Sequence, residues 1–207
     1  PVQGAAGDAS ALDWLLSQAE VVGRGGEVQW LDEQRALPAV GFDGVDLVLR
    51  GGPWRHALRV DATPPASWGD RLSLRAQLQE PLWDPLGRAW THWSGQWYAE
   101  WPHVDLAQLA PHVDLRGMKV DAGQGALRAW ADMRQGRLER VVSDVALRQV
   151  RMQWSRALQP LALDELGARV TLRPLPGGLD LSARDLHFLT DDGLAWQSGS
   201  LALRSAT

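Results

Sequence analysis

The residue types that carry chemistry are all present in this chain except cysteine, but they do not fall into patterns that make a catalytic site. The five histidines are His56, His92, His103, His112 and His187. None stands in an H-x-x-x-H or H-E-x-x-H spacing, which would put two imidazoles on one helix face for a metal. His103 and Asp105 share a face if their segment is a strand, yet no third group joins them. Acidic pairs occur at Asp43 and Asp46, at Asp164 and Glu165, and at Asp191 and Asp192. In a soluble sheet such pairs read as turn and solvent-face residues before they read as the two carboxylates of glycoside hydrolysis. The clusters "GRGG" and "GGP" lack the G-x-x-x-x-G-K-[ST] pattern that cradles phosphate. "WSGQW" is not the G-x-S-x-G nucleophile elbow. With no cysteine there is no thiolate ligand, no disulfide and no thiol nucleophile. The sequence therefore predicts no enzyme, no metal site and no cofactor.

Tryptophan is where the chain departs from the ordinary: twelve Trp stand against two Phe and one Tyr. The stretch "WTHWSGQWYAEW" (Trp90–Trp101) concentrates them. Trp93, Gly95, Trp97, Ala99 and Trp101 share one parity of an extended strand, with Ser94, Gln96, Tyr98 and Glu100 on the other. A row of indoles on one strand face can fill a core, stack on sugars, sit at a membrane surface or line a dry path for acyl chains.

What positions that row is a chain of 207 residues, room for one large domain or two small ones. Its composition, 45% hydrophobic and 22% charged, allows a sizeable core. A net charge of −4 and a pI near 5.7 argue against nucleic acid as a partner. No stretch approaches the eighteen apolar residues that a membrane-spanning helix needs. The chain opens at Pro1 without a signal-like segment and closes on the strand-like Leu201–Arg204. We expect it to be a piece of a longer protein, so the missing signal leaves its location open.

A short helix is expected near the start, capped by Ser10 with Asp13 three residues on, and striped by Leu12, Leu15 and Leu16. A second runs through Asp105–Leu109 before Pro111. Nearly everything else alternates with period two. In "RLSLRAQLQ" (Arg71–Gln79), Leu72, Leu74, Ala76 and Leu78 point one way, while Arg71, Ser73, Arg75, Gln77 and Gln79 point the other. That is a strand with one dry and one wet face. The same alternation runs through Val45, Leu47 and Leu49; Leu58, Val60 and Ala62; Val145 and Leu147; Ala168, Val170 and Leu172; Leu179, Leu181 and Ala183; and Leu201 and Leu203. Parity slips by one at Gln149, before Val150, Met152 and Trp154. It slips again at Arg184–Asp185, before Leu186 and Phe188. Each slip predicts a bulge or tight bend.

Turn signals separate the runs: "RGG" (Arg24–Gly26), "RGGP" (Arg50–Pro53), "PLPGG" (Pro174–Gly178) and "DDG" (Asp191–Gly193), with "ATPPASWGD" (Ala62–Asp70) as a loop. The pattern gives about ten to twelve strands in a mainly β, antiparallel fold built from hairpins. No linker divides residues 1–207, and any soft boundary lies near 104–122. Two short helices cannot cover an apolar face on every strand. Either two sheets cover one another in a sandwich, or the face stays open to a ligand. A sandwich would be a binding or scaffolding module. Sugar binding would need the indoles on the wet face beside Asp, Gln and Arg.

The order of segments resembles the YhdP-type members of the AsmA-like family. "WLLSQAEVVGRGGEVQWLDEQRALPAVGFDGVDLVLR" (Trp14–Arg50) is similar to their W-L-L-x-Q helix end, W-x-D-E strand close and D-V-D-L-x-L strand. "HALRVDATPPASWGDRLSLRAQL" (His56–Leu78), "WSGQWYAEWPHVDLAQLAPHVDL" (Trp93–Leu115), "GQGALRAWADMRQGRLERVVSDVALRQV" (Gly123–Val150) and "LPGGLDLSARDLHFLTDDGLAW" (Leu175–Trp196) follow in the family's order. The resemblance covers nearly the whole chain, and the order is more specific than any one motif.

That resemblance implies an internal segment of a bridge-like lipid transfer protein: a long, twisted sheet curled into a groove with an apolar inside. It implies a periplasmic location in Gram-negative bacteria and an inner-membrane anchor outside these residues. The implied partners are phospholipid, the remaining segments of the same chain and a membrane reached through regions absent here. The implied groove face comprises Val45, Leu47, Leu49, Leu58, Val60, Leu72, Leu74, Leu78, Trp93, Trp97, Trp101, Val145, Leu147, Val170, Leu172, Leu179 and Leu181. Strands stacked at about 4.8 Å would give ten to twelve of them roughly 50 Å of trough.

Overall fold

The computed structural model describes residues 14, 16–32, 35–81, 92–112, 118–153, 155 and 158–206. Eleven strands form one antiparallel sheet. They are β1 (Glu20–Trp30), β2 (Val40–Gly51), β3 (Arg55–Thr63), β4 (Leu72–Gln79), β5 (Ser94–Asp105), β6 (Lys119–Arg134), β7 (Arg137–Gln153), β8 (Leu161–Leu175), β9 (Gly178–Thr190), β10 (Ala195–Trp196) and β11 (Leu201–Ala206). From β1 to β9 each strand pairs with its neighbour in sequence. The outer edge of β9 is shared by two pieces, β10 on Phe188 and Leu189 and β11 on Gly178–Ala183. The sheet is curled and uncapped. Among the described residues there is no second sheet, so the sandwich alternative has no counterpart.

The expected second helix is present as α1 (Leu106–Leu109), continued by a 3-10 turn at Ala110–His112. Asp105 caps it, its carboxylate accepting from the Ala107 amide at 2.9 Å. Of the expected first helix, Trp14 and Leu16 are helical. Ser10, Leu12, Asp13 and Leu15 lie outside the described residues, as do Trp83, Trp90 and Trp154.

Register carries the alternation from strand to strand. One row runs Leu49, Leu58, Ala76, Trp97, Ala131, Val141, Leu172, Leu181 and Leu203. The next runs Leu47, Val60, Leu74, Ala99, Ala129, Ser143, Val170, Ala183 and Leu201. Partners in such a row share a face with their Cβ atoms about 5 Å apart. The opposite face is polar, its charges paired both across strands and, for Arg59 and Asp61, along β3. Arg71 reaches Asp46 at 2.7 Å, Arg59 reaches Asp61 at 2.6 Å and Arg140 reaches Asp132 at 2.7 Å. Arg169 grips Asp144 with two nitrogens, at 2.6 and 2.9 Å.

Both parity slips are real bends. Gln149 and Asp185 have left-handed backbones, φ 52° and 51°. The β6/β7 register shifts between Ala122 and Gln124, which pair with Arg151 and Arg148, and the β8/β9 register shifts between Gly167 and Arg169. The "RGG" turn expected at Arg24–Gly26 is instead the middle of β1. Gly25, at φ 65°, forms an irregularity there, its amide donating to the Asp46 carboxylate at 3.0 Å. The left-handed residue that glycine permits is used for a kink within a strand rather than to reverse the chain.

Two predictions follow from the bends and the polar face. A side chain in the left-handed region costs about 1–2 kcal/mol, and a β-branched one is worse tolerated. Gln149→Gly should leave urea-unfolding stability within about 1 kcal/mol of the parent, whereas Gln149→Val should lower it by at least about 1–2 kcal/mol. Equal tolerance of both would show that the bend does not depend on this backbone. The Asp144 carboxyl is held below the usual carboxylate range, chiefly by the hydrogen bond from Arg169. A depressed carboxyl contributes stability in full above its unfolded value of about 3.9 and loses it as pH falls from there through the folded value. Asp144→Asn should therefore cost stability at pH 7 and cost less at pH 3. A cost equal at both pH values would assign it to packing rather than to charge.

Candidate functional site: the apolar face

The sequence-predicted residues come together on one side of the sheet. Val45, Leu47, Leu49, Leu58, Val60, Leu72, Leu74, Leu78, Trp97, Trp101, Val145, Leu147, Val170, Leu172, Leu179 and Leu181 all belong to the apolar rows or continue their parity. In the two central rows the only polar side chain is the Ser143 hydroxyl. Trp93 stands just before β5 and packs against Ala76 and Leu78 at one end of this face.

The two ends of the face are covered and its middle is not. At the first end Trp93 is 4% exposed and stacks on His56, ring centroids 4.2 Å apart. Leu16, Leu58 and Trp97 pack against the same cluster. His56 Nε2 lies 2.9 Å from the Glu80 carboxylate. The Nδ1 of His56 and the Nε1 atoms of Trp93 and Trp97 are buried without a hydrogen-bond partner. Such unpaired atoms each cost about 1–3 kcal/mol where water is excluded.

At the second end the loop that follows β3 folds back over the sheet. Gly69, at φ 132°, bridges to Val104, and a Cβ there would lie 1.9 Å from the His103 carbonyl oxygen. This close approach seats Trp68, which is buried and stacks near Trp101, meets Phe42 edge-on and touches His112. Trp101 Nε1 donates to the Asp70 carbonyl at 2.9 Å. Trp30 closes the same group against His112 at 4.7 Å. Beside it, Leu106 of α1 packs on the cluster of Leu147, Val150 and Leu163.

Between these ends Leu47, Val60, Leu72, Leu74, Val141, Val170, Leu172 and Leu181 are neither sealed nor fully exposed, with Leu58 and Trp97 at the margin of the first cluster and Val145 at the margin of the second. They face one another across strands, with no second layer above them among the described residues. Ala99, Ala129 and Ala131 lie among them and keep the floor low beside the Trp97 indole. The chemistry available is burial alone: a continuous dry strip with charge on neither central row.

Sequence reasoning missed the groups that close the ends. Trp68 sat in a segment read as loop, and His56 was weighed only as a metal ligand. Trp130 was also missed, although the alternation of Leu127, Ala129 and Ala131 against Arg128, Trp130 and Asp132 places it on the polar face. Of the tryptophans whose side was left open, Trp14, Trp30, Trp54 and Trp196 are all exposed, from 39% to 65%.

Comparison with known proteins gives one family. The family model described as YhdP protein matches residues 2–207. Neither curated proteins nor solved structures give a match.

Two tryptophans of β5 and its approach separate a sealed core from an open face. Trp93→Ala should lower unfolding stability by about 3–5 kcal/mol, as for a packed core indole. Trp97→Ala should cost about half of that, because its indole is only half-buried. Equal losses in urea denaturation would mean that the middle of the face is as closed as its end.

Proposed function

We propose, from the premise that this chain belongs to the YhdP family, that it is a section of a conduit carrying phospholipid acyl chains along its apolar face. The family is AsmA-like and related to lipid transport. The observation that carries the reading is the strip of half-exposed apolar side chains running unbroken from β2 to β9 between two covered ends.

Each methylene kept from water is worth about 0.8 kcal/mol, so an acyl chain needs a surface that stays dry along its length. Seven inter-strand steps of about 4.8 Å, from β2 to β9, give roughly 34 Å of such surface across the sheet. The headgroup would remain at the open side, in water, while Trp68 and Trp93 hold the ends of the strands and so fix the width of the trough. In this reading the protein does no catalysis and holds no cofactor. It acts in the periplasm, tethered to the inner membrane and directed toward the outer membrane by regions beyond this sheet. Its partners are phospholipid, the other segments of its own chain and those membranes. No nucleic acid is involved.

Native mass spectrometry of the purified chain, with extraction of bound lipid, tests this. Phospholipid should accompany the parent and be lost from Leu74→Asp, while Thr171→Asp on the opposite face keeps it. Circular dichroism confirms that both variants are folded. A parent that stays free of lipid when phospholipid vesicles are offered would sink the reading, and so would equal lipid in all three proteins.

A further inference from the structure

The polar side of the sheet holds a feature that an acyl-chain groove does not use. A hollow of about 580 Å³ is lined there by Arg75, Gln77, Gln96, Tyr98, Trp130, Asp132, Arg140 and Arg169, among others. That volume lies in the range of small-ligand sites. Trp130 is 39% exposed on a face of mostly charged and amide side chains, with Tyr98 and Val142 as its cross-strand neighbours. Its ring and that of Tyr98 lie 5.4 Å apart, tilted by 47°, so they meet as two walls of a shallow cleft.

The charges around this cleft are unevenly satisfied. Arg140 is held by Asp132 and Arg169 by Asp144. Arg75 holds no carboxylate among the described residues. It also stands directly opposite Arg59 on β3 and Tyr98 on β5. Two like charges facing each other across strands are unfavourable for the sheet itself. Arg59 is neutralised by Asp61, while Arg75, beside the aromatic pair, has no ion pair among the described residues. Gln96 donates its amide N–H to Asp132 at 3.2 Å, and its carbonyl oxygen remains available as an acceptor.

We propose that this cleft is a binding subsite for an acidic glycan. The apolar C–H face of a pyranose ring packs on the electron-rich face of Trp130, as aromatic faces favour electropositive edges. The ring's hydroxyls, each both donor and acceptor, meet Gln77, Gln96, Asp132 and Arg140, which offer both roles. A carboxylate on the sugar pairs with Arg75. Arg140 and Arg169 are already paired with Asp132 and Asp144, so the cleft lacks the run of free cations that a phosphodiester backbone needs, whereas one cation suffices for a single sugar carboxylate. The site lies on the face opposite the apolar strip, so it stands or falls independently of lipid carriage.

The test titrates the whole chain by isothermal calorimetry with a hyaluronan hexasaccharide, the neutral chitohexaose and a single-stranded oligo(dT). Binding of the acidic hexasaccharide in preference to chitohexaose is expected. Trp130→Ala should weaken it by roughly tenfold or more. Trp130→Leu, which keeps an apolar strand residue but no ring face, should do the same in a folded chain. Arg75→Gln should abolish the preference for the acidic sugar while leaving neutral binding in place. The proposal is overturned if neither sugar binds, if Trp130→Leu binds as the parent does, or if oligo(dT) is the tighter ligand.

Discussion

A β-strand sends successive side chains to opposite faces, and this molecule depends on how strictly its chain keeps apolar residues on one of them. From β2 to β9 a single antiparallel meander brings those residues into register, so that Leu, Val, Ala and Trp meet their own kind across every strand boundary. A slip of one residue would turn a whole strand inside out. Where the chain does slip, at Gln149 and Asp185, a left-handed residue takes up the extra length. Val150 then returns to the apolar cluster with Leu147 and Leu163. The bulges thus preserve the facing of the sheet as well as bending it.

A sheet with one dry face ordinarily buries it under another layer. Here the cover is confined to the ends, one built on Trp93 and His56 and the other on Trp68, Val104 and Leu106. The stability that a second layer would supply comes instead from length and from the polar face. Strands β6 and β7 run 16 and 17 residues, and ion pairs such as Asp144 with Arg169 cross between neighbouring strands. Such exposed pairs contribute little singly. The row Glu100, Arg128, Asp144 and Arg169 still alternates in sign across four strands, which favours the observed register.

Much of this was legible in the sequence because period-two alternation is local. "RLSLRAQLQ" gives the facing of β4 by inspection, and the loss of alternation at Gln149 and Arg184–Asp185 marks the bends. The ends were not legible, because their closure is made by contacts distant in sequence. Trp68 meets Trp101 and His112 across the sheet, and nothing in "ATPPASWGD" announces a buried indole. "RGG" (Arg24–Gly26) was misread as a turn for the same reason. Glycine permits a left-handed residue, but only the partner strand, through Asp46, decides whether it serves a turn or a kink within a strand. The order of the family's segments added what alternation cannot give, the expectation that the dry face stays open.

The two faces impose opposite demands on the same backbone. Under the proposed lipid carriage the apolar side must stay uncovered in its middle, which leaves hydrophobic side chains facing water whenever it is empty. The polar side must keep the chain soluble at a net charge of only −4. An exposed indole on that polar side adds apolar surface where the sheet gains least from it. Tyr98 does not remove that exposure: its hydroxyl donates to Glu100 at 3.0 Å, which holds it in the polar row, and its ring leaves Trp130 39% exposed. A leucine or threonine would fill the same strand position at lower cost in exposed ring surface. Arg75 on the same cross-strand row has no ion-pair partner among the described residues. Two adjacent departures from what the sheet alone requires are accounted for together when both groups face a ligand with an apolar ring face and a negative charge.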